Sequence, residues 1–229
     1  MSIYAIGDLH LSGSIDKPMD KFGKNWENHA EKIKKHWLDI ISEEDTVLIP
    51  GDISWGMTLE EAEIDLQYIY ELPGKKILIR GNHDYWWKSV TKLNTIYDNM
   101  YFLQNDFTVA ESFAICGGRG WICPNDTKFT AHDQKIYERE EKRLRLSLLA
   151  AKKANYDRII VIMHYPPTNE NLEPSIYTQL FEEFKVEKVI YGHLHGKESF
   201  NLGLQGHYNG IEYRLVSSDY IDFKPVLIY

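Results

Sequence analysis

The chain has 229 residues, a formal net charge of −8, 43% hydrophobic residues and 26% charged ones. This is the make-up of a soluble globular protein, long enough to bury a full core in one domain spanning 1–229 and too short for a catalytic domain with a large capping domain. It argues against a protein that grips long nucleic acid through its overall field, and no apolar stretch approaches the roughly 20 residues needed to cross a bilayer.

In chain order, the first apolar run, Ile3 to Ile6, reads as a strand. It starts almost at the first residue, so no leader is expected and the location expected is cytoplasmic. Trp26, Ala30, Ile33, Trp37 and Ile40 then recur at intervals of four and three, the period of a helix. Val47 to Ile49 forms the next strand. Leu59, Ala62, Leu66 and Ile69 mark a second helix, with Thr58 as N-cap, Glu61 completing a capping box and Pro73-Gly74 as the stop. A strand follows at Ile77 to Ile79, and another at Phe113 to Cys116 before a glycine-rich loop, Gly117-Gly118-Arg119-Gly120. A long charged helix is predicted from Ala131 to Ala154, with Glu138 and Lys142, and Glu141 and Arg145, spaced for pairing on a solvated face. Strands at Ile159 to Met163 and Val186 to Tyr191 flank one more helix, and Glu198 to Tyr229 reads as short hairpin strands. Alternation of strand and helix implies a parallel sheet with crossover helices. Cys116 and Cys123 lack the spacing of a zinc knuckle and read as reduced, packed thiols.

Five short motifs punctuate these elements: Asp8-Leu9-His10, Gly51-Asp52, Gly81-Asn82-His83-Asp84, the isolated His164, and Gly192-His193-Leu194-His195. Each follows an apolar run and opens a loop, where ligands gather in open α/β sheets. Taken alone, none is specific. Together they supply two carboxylates, one amide oxygen and four imidazoles, a set suited to two divalent metals and to in-line attack on phosphorus.

In these residues the chain resembles the calcineurin-like metallophosphoesterases, whose pattern is D-x-H, G-D, G-N-H-D or G-N-H-E, a lone H, and G-H-x-H. The resemblance runs from Asp8 to His195, with every motif residue present. It implies an α/β fold, a four-layer α-β-β-α sandwich of two mixed sheets. It further implies that Asp8, His10, Asp52 and His195 hold one metal and Asp52, Asn82, His164 and His193 the other, with Asp52 as the bridge. Mixed imidazole, carboxylate and amide ligands suit manganese, iron or zinc alike. Two divalent ions against two carboxylates leave a net positive cluster, so an acidic chain can still attract a phosphate anion. His83 corresponds to the family's proton donor or transition-state stabiliser, with Asp84 expected to fix its tautomer. Purple acid phosphatases carry a tyrosine three residues after the bridging aspartate; Trp55 stands there instead. A tyrosinate-bound ferric ion is not expected.

The substrate signal is thinner. The phosphoprotein phosphatase branch reads G-D-x-V-D-R-G after the bridging aspartate, whereas this chain reads Gly51-Asp52-Ile53-Ser54-Trp55-Gly56 and lacks that arginine. Arg80 matches the arginine before the third motif of that branch, and reads equally as a structural ion-pair partner. Trp55, Tyr85, Trp86, Trp87 and Trp121 crowd the ligand loops. They read either as a stacking wall for a base or as wedges that hold the metal shell. Arg119 is placed either to reach a phosphate or on the surface. The leading expectation is a metal-dependent phosphoesterase acting on a small organic phosphate, a diester or nucleotide, without a membrane and without extended nucleic-acid binding. A nuclease, a phosphoprotein phosphatase and a non-enzymatic scaffold are the alternatives; the first lacks a basic stripe, and a scaffold typically loses ligands that are all kept here. Sequence leaves the oligomeric state open.

Overall fold

The two periodicities of the chain, two in the strands and 3.6 in the helices, assign each apolar residue to a layer. The computed structural model describes residues 1–125 and 128–229. In chain order the strands are β1 (Ile3–Ala5), β2 (Thr46–Ile49), β3 (Lys75–Leu78), β4 (Met100–Phe102), β5 (Phe107–Ala110), β6 (Phe113–Gly118), β7 (Ile159–Met163), β8 (Lys188–Tyr191), β9 (Gly206–Tyr208), β10 (Ile211–Leu215) and β11 (Val226–Leu227). The helices are α1 (His29–Ile40), α2 (Leu59–Tyr70), the single turn α3 (Val90–Leu93), α4 (Ala131–Lys153) and α5 (Ile176–Phe184).

Two mixed sheets result. One has the order β11-β1-β2-β3-β4, parallel except for β11; the other has the order β5-β6-β7-β8-β10-β9, parallel through its centre with antiparallel edges β5 and β9. Central strands are apolar on both faces. Along β7, Ile160 and Ile162 point into the layer between the sheets with Leu48, Ile77 and Ile115, while Ile159, Val161 and Met163 pack under α4 and α5. Along β2, Val47 and Ile49 meet Ile33, Trp37, Leu66 and Ile69 of α1 and α2. Helix, sheet, sheet, helix is the four-layer order that the family resemblance implies, with two mixed sheets where the alternation of elements alone reads as one parallel sheet. Among the described residues no helix is long and apolar enough to cross a membrane.

Several local expectations are corrected. Thr58 Oγ1 accepts from Glu61 N at 3.3 Å, but the Glu61 carboxylate turns back to Met57 N at 2.7 Å, so only half of the capping box forms there. Complete boxes close on Thr130 with Asp133 and on Ser175 with Thr178. Glu141 pairs with Arg145 at 2.7 Å, whereas Glu138 accepts from Gln134 instead of pairing with Lys142. The C-terminal stretch is not one set of hairpins: β9 and β10 form a hairpin, β10 also runs parallel to β8, and β11 crosses to the other sheet beside β1. Short β4 and β5 escape the pattern because their length is below what alternation can register. Both cysteines are buried free thiols.

Candidate metal centre

The carboxyl ends of β1, β2, β3, β7 and β8 deliver all five motifs to one place. The strand ends of the two sheets are tied there: Gly7 N donates to Val216 O at 2.7 Å, and Ser218 N donates to Gly7 O at 3.0 Å. Asp8 N donates to Gly51 O and His10 N to Asp52 O, both at 3.0 Å. Four of the expected ligands hold left-handed backbone, with φ of 56° at Asp8, 47° at His10, 50° at Asp52 and 73° at His193. Such conformations cost roughly 1–3 kcal/mol each and persist where surrounding structure over-determines them, commonly at functional sites. Two motif glycines answer a different need. A Cβ on Gly81 would lie 2.1 Å from Asp52 Oδ1, and one on Gly192 2.2 Å from Asp8 Oδ2, so no other residue lets these loops close on the carboxylates.

Two groups of side chains that can hold a metal ion emerge, Asp8 with His10 and His195, and Asp52 with His164 and His193. Within them, His10 Nε2 lies 3.2 Å from His195 Nε2, and His164 Nε2 lies 3.2 Å from His193 Nδ1. Nitrogens 2.0–2.1 Å from a shared ion, at angles between octahedral and tetrahedral, stand about 2.9–3.4 Å apart, so these spacings fit ligation. Asn82 Oδ1 joins the second group, 2.7 Å from His164 Nε2. Asp52 Oδ2 faces both groups, 3.8 Å from His10 Nε2 and 3.4 Å from His164 Nε2, while Asp52 Oδ1 accepts from His83 N at 2.8 Å.

Electrostatics point the same way. Burial pushes the Asp8 and Asp52 carboxyls up, but the charges of His195 and His164 outweigh it and hold both below their usual range. Burial likewise opposes charge on His164 and His195. The Asp52 carboxylate nevertheless carries His164 up to about 9, and Asp8 with Asp219 carries His195 up to about 10. Burial brings His10 and His193 down to about 3. In each group the carboxylate thus favours positive charge at the position where a metal would sit, while burial opposes charge on the imidazoles.

Partners outside the ligand set aim the rings. His164 Nδ1–H donates to Pro50 O at 3.0 Å, and His195 Nδ1 lies 2.9 Å from Asp219 Oδ1, which leaves Nε2 of each ring facing the centre. His29 Nε2–H donates to His10 O at 3.2 Å. Asp219 was not legible as a site residue because its stretch reads as a hairpin. It stands just beyond the end of β10, and the parallel pairing of β10 with β8 makes that end one more carboxyl terminus at the site. Lys17 gives no sequence signal either; its Nζ lies 3.0 Å over the Trp55 ring.

The expected roles of the other named residues divide. His83 is half-buried, and its ring nitrogens make no hydrogen bond to any described residue; burial is the main force lowering its pKa. Asp84 does not fix its tautomer. The Asp84 carboxylate is fully buried and accepts from Gly81 N, Ile53 N, Ser54 N and Trp86 Nε1 at 2.7–3.2 Å, so it pins the third motif to the second. Burial, aided by the Asp52 charge, pushes this carboxyl up to about 6. Arg80 Nε donates to Asp84 O at 3.1 Å. Trp55 stacks on His10 at 4.8 Å with Lys17 over its ring, so it braces an expected ligand and presents no open face to a base. Trp121 is half-buried, donates to Asp133 Oδ1 at 3.0 Å and has the Arg119 guanidinium 4.7 Å over its ring. Trp86 has no exposed surface and packs with Trp87 and Phe102, which corrects the stacking-wall reading for it. Trp86→Ala is therefore expected to cost about 3–5 kcal/mol in stability. Denaturant unfolding checks this, and a rise in KM confined to nucleotide esters at unchanged stability would return Trp86 to the substrate.

Comparison with known proteins agrees with this layout. The family model for calcineurin-like phosphoesterases matches residues 1–197, a span that holds all five motifs. A protein of Ruthia magnifica named a probable cyclic nucleotide phosphodiesterase is 26% identical over 212 residues, 87% of this chain and 80% of its own length. The gene 66 protein of Mycobacterium phage L5 is 36% identical over 77 residues, but the match spans only 34% of this chain and 37% of the phage protein. Among solved structures, the phosphopantetheinyl hydrolase of Mycobacterium tuberculosis superposes with a TM-score of 0.57 at 14% identity, covering 99% of this chain and 95% of that one. A protein of unknown function from Aquifex aeolicus superposes with a TM-score of 0.55 at 18% identity and the same coverage. At such identities the two structures speak for the fold.

Proposed function

Because the chain belongs to the calcineurin-like phosphoesterase family and is a metal-dependent phosphohydrolase, we propose that its substrate is a small organic phosphate, a phosphodiester or a nucleotide. The observation that carries this is Asp52 Oδ2, facing one donor group at 3.8 Å and the other at 3.4 Å. Asp8, His10, Asp52 and His195 would hold one ion, and Asp52, Asn82, His164 and His193 the other. Manganese, iron and zinc all suit this mixture of imidazole, carboxylate and amide donors. When bound, a pair of divalent ions supplies Lewis acidity toward a phosphoryl oxygen and lowers the pKa of water.

The remaining chemistry falls to the chain's own groups. His83, anchored through its backbone on Asp52 with its ring free, stabilises or protonates the departing oxygen. A cavity of about 260 Å³ beside His193, lined by Tyr165, Leu194, Leu202 and Thr168, takes the organic part of the substrate. It is a small space, with mainly apolar walls and the buried hydroxyl of Thr168, which has no partner among the described residues. The Ruthia relative, named for cyclic nucleotides and aligned along 87% of this chain, supports an ester of nucleotide type. The reading is of a single domain at work in the cytoplasm, where its two buried thiols stay reduced.

The test is chelator treatment followed by manganese, with a panel of a monoester, a linear diester, a cyclic nucleotide and single-stranded DNA. Chelation should abolish hydrolysis and manganese restore it, with the highest kcat/KM on the linear diester or cyclic nucleotide. Turnover that survives chelation would overturn the metal-dependent reading, and a preference for DNA would replace it with a nuclease.

A further inference from the structure

The carboxyl ends of β3, β4 and β6, at Arg80, Leu103 and Arg119, bound a cavity of about 290 Å³ that none of the expected metal ligands lines. Its charged lining is Arg80, Lys88, Arg119, Arg139 and Arg143 against a single carboxylate, Glu140. In a chain with a net charge of −8, this local excess of cations stands out. Glu140 is 2% exposed, and one of its oxygens, Oε1, receives Arg139 at 3.0 Å, Arg143 at 3.0 Å and Arg119 at 3.5 Å. Three guanidinium groups converge on one oxygen atom, so most of their donors are left for something else. Arg119 Nε is buried and has no partner among the described residues. Guanidinium forks match the paired oxygens of a phosphate, and several at one spot act as a trap for a dianion.

The cavity is also built into the reaction centre. Arg80 precedes the expected ligand Asn82 by two residues, a backbone span of at most about 7 Å. The carbonyl oxygen of Arg119 accepts from His164 N at 3.1 Å and from Tyr165 N at 3.0 Å, so hydrogen bonds between the ends of the neighbouring strands β6 and β7 hold this arginine to the expected ligand. We propose that the cavity is a second phosphate site, which takes a phosphate group that the substrate carries besides the one being hydrolysed. The proposal rests on the phosphoesterase reading and narrows it to organic phosphates with two separated anionic groups.

Two measurements on the full chain test it. First, the chelator-treated protein is titrated calorimetrically with inorganic phosphate, as wild type, as Arg139→Gln with Arg143→Gln, and as Lys88→Gln. The two arginines lie 51% and 42% exposed on α4 and Lys88 is exposed, so no core packing is removed. Because the double variant leaves buried Glu140 with Arg119 alone, thermal unfolding of each variant is measured beside the titration, and Lys88→Gln carries the test where the double variant does not fold. Phosphate should bind to wild type at least tenfold more tightly than to the double variant and measurably more tightly than to Lys88→Gln. Second, the metal-loaded proteins are given thymidine 5′-(p-nitrophenyl phosphate) and the same diester bearing a 3′-phosphate. Wild type should prefer the 3′-phosphorylated diester in kcat/KM, and the double variant should lose at least tenfold of that preference. If both variants bind phosphate as wild type does, the arginines merely tie α4 to the sheet and the proposal falls. Charge-dependent phosphate binding without any preference between the diesters marks a site for a free anion and overturns the assignment to substrate. Hydrolysis of neither diester by wild type would overturn the proposal of a nucleotide diester as substrate, and the titration would still report separately on the anion site.

Discussion

Asp52→Asn should strip the protein of both metals and lower kcat/KM by about a thousandfold or more. Lewis-acid help from a metal pair is worth several kcal/mol, and each 1.4 kcal/mol is a factor of ten. Asp52 is singled out by its two oxygens. Oδ1 is engaged by His83 N at 2.8 Å, and Oδ2 is left to face His10 and His164 together. An asparagine keeps one acceptor, which can serve the His83 backbone or the metals but not both, and its amide lacks the charge that screens two cations from each other. Asp8→Asn should mainly weaken the group with His10 and His195, and Asn82→Ala the group with His164 and His193. Elemental analysis and calorimetric metal titration of the three variants separate these cases. Two ions bound as tightly to Asp52→Asn as to wild type would show that Asp52 is not the bridge.

His83→Ala should keep both metals and the fold and still lose about 10²- to 10⁴-fold in kcat, the range for a positioned proton donor. The fold should survive because the His83 ring is half-buried, bonded to no described residue and in contact chiefly with Trp55, 4.3 Å away between ring centres. Its backbone bond to Asp52 is untouched by the substitution. If the ring protonates the departing oxygen, alkyl esters should suffer far more than nitrophenyl esters, whose leaving group departs as a stable anion. Measured kcat on both ester types, with metal content checked, decides. An equal loss on both would assign His83 to charge stabilisation, and an unchanged rate would remove it from the reaction.

The site was legible in sequence to the extent that it is local. Asp8, Asp52, Asn82, His164 and His193 each lie within five residues of a strand end, and a strand end is marked by where an apolar run stops. In a parallel sheet those ends lie along one edge, so the pattern of runs and motifs brings Asp8, Asp52 and Asn82 together in one sheet and His164 and His193 together in the other, and the packing of the two sheets joins the sets. Burial on both faces of β7, with Ile160 and Val161 pointing opposite ways, is what a covered parallel sheet requires, whereas the four-layer order came from the family resemblance.

Identity of residue type could not say which partner a side chain meets. Asp84 beside His83 looks like a tautomer clamp on paper, but its carboxylate is turned inward by four N–H groups, two of them from Ile53 and Ser54 some thirty residues earlier. Trp86 in a ligand loop looks like a platform, and its ring is buried against Phe102, on a strand that alternation does not reveal. Asp219 reaches His195 only because β10 joins β8 in parallel, and the arginines of α4 meet Arg119 only because that helix packs across the end of β6. Sequence by itself determined the donor atoms, their order and the strands that present them, because covalent neighbours and backbone period suffice for that. The tertiary structure alone decided which oxygen lies between two imidazoles, which tryptophan is core and where three guanidinium groups meet one carboxylate, because those are outcomes of sheet register and helix packing between residues far apart in the chain.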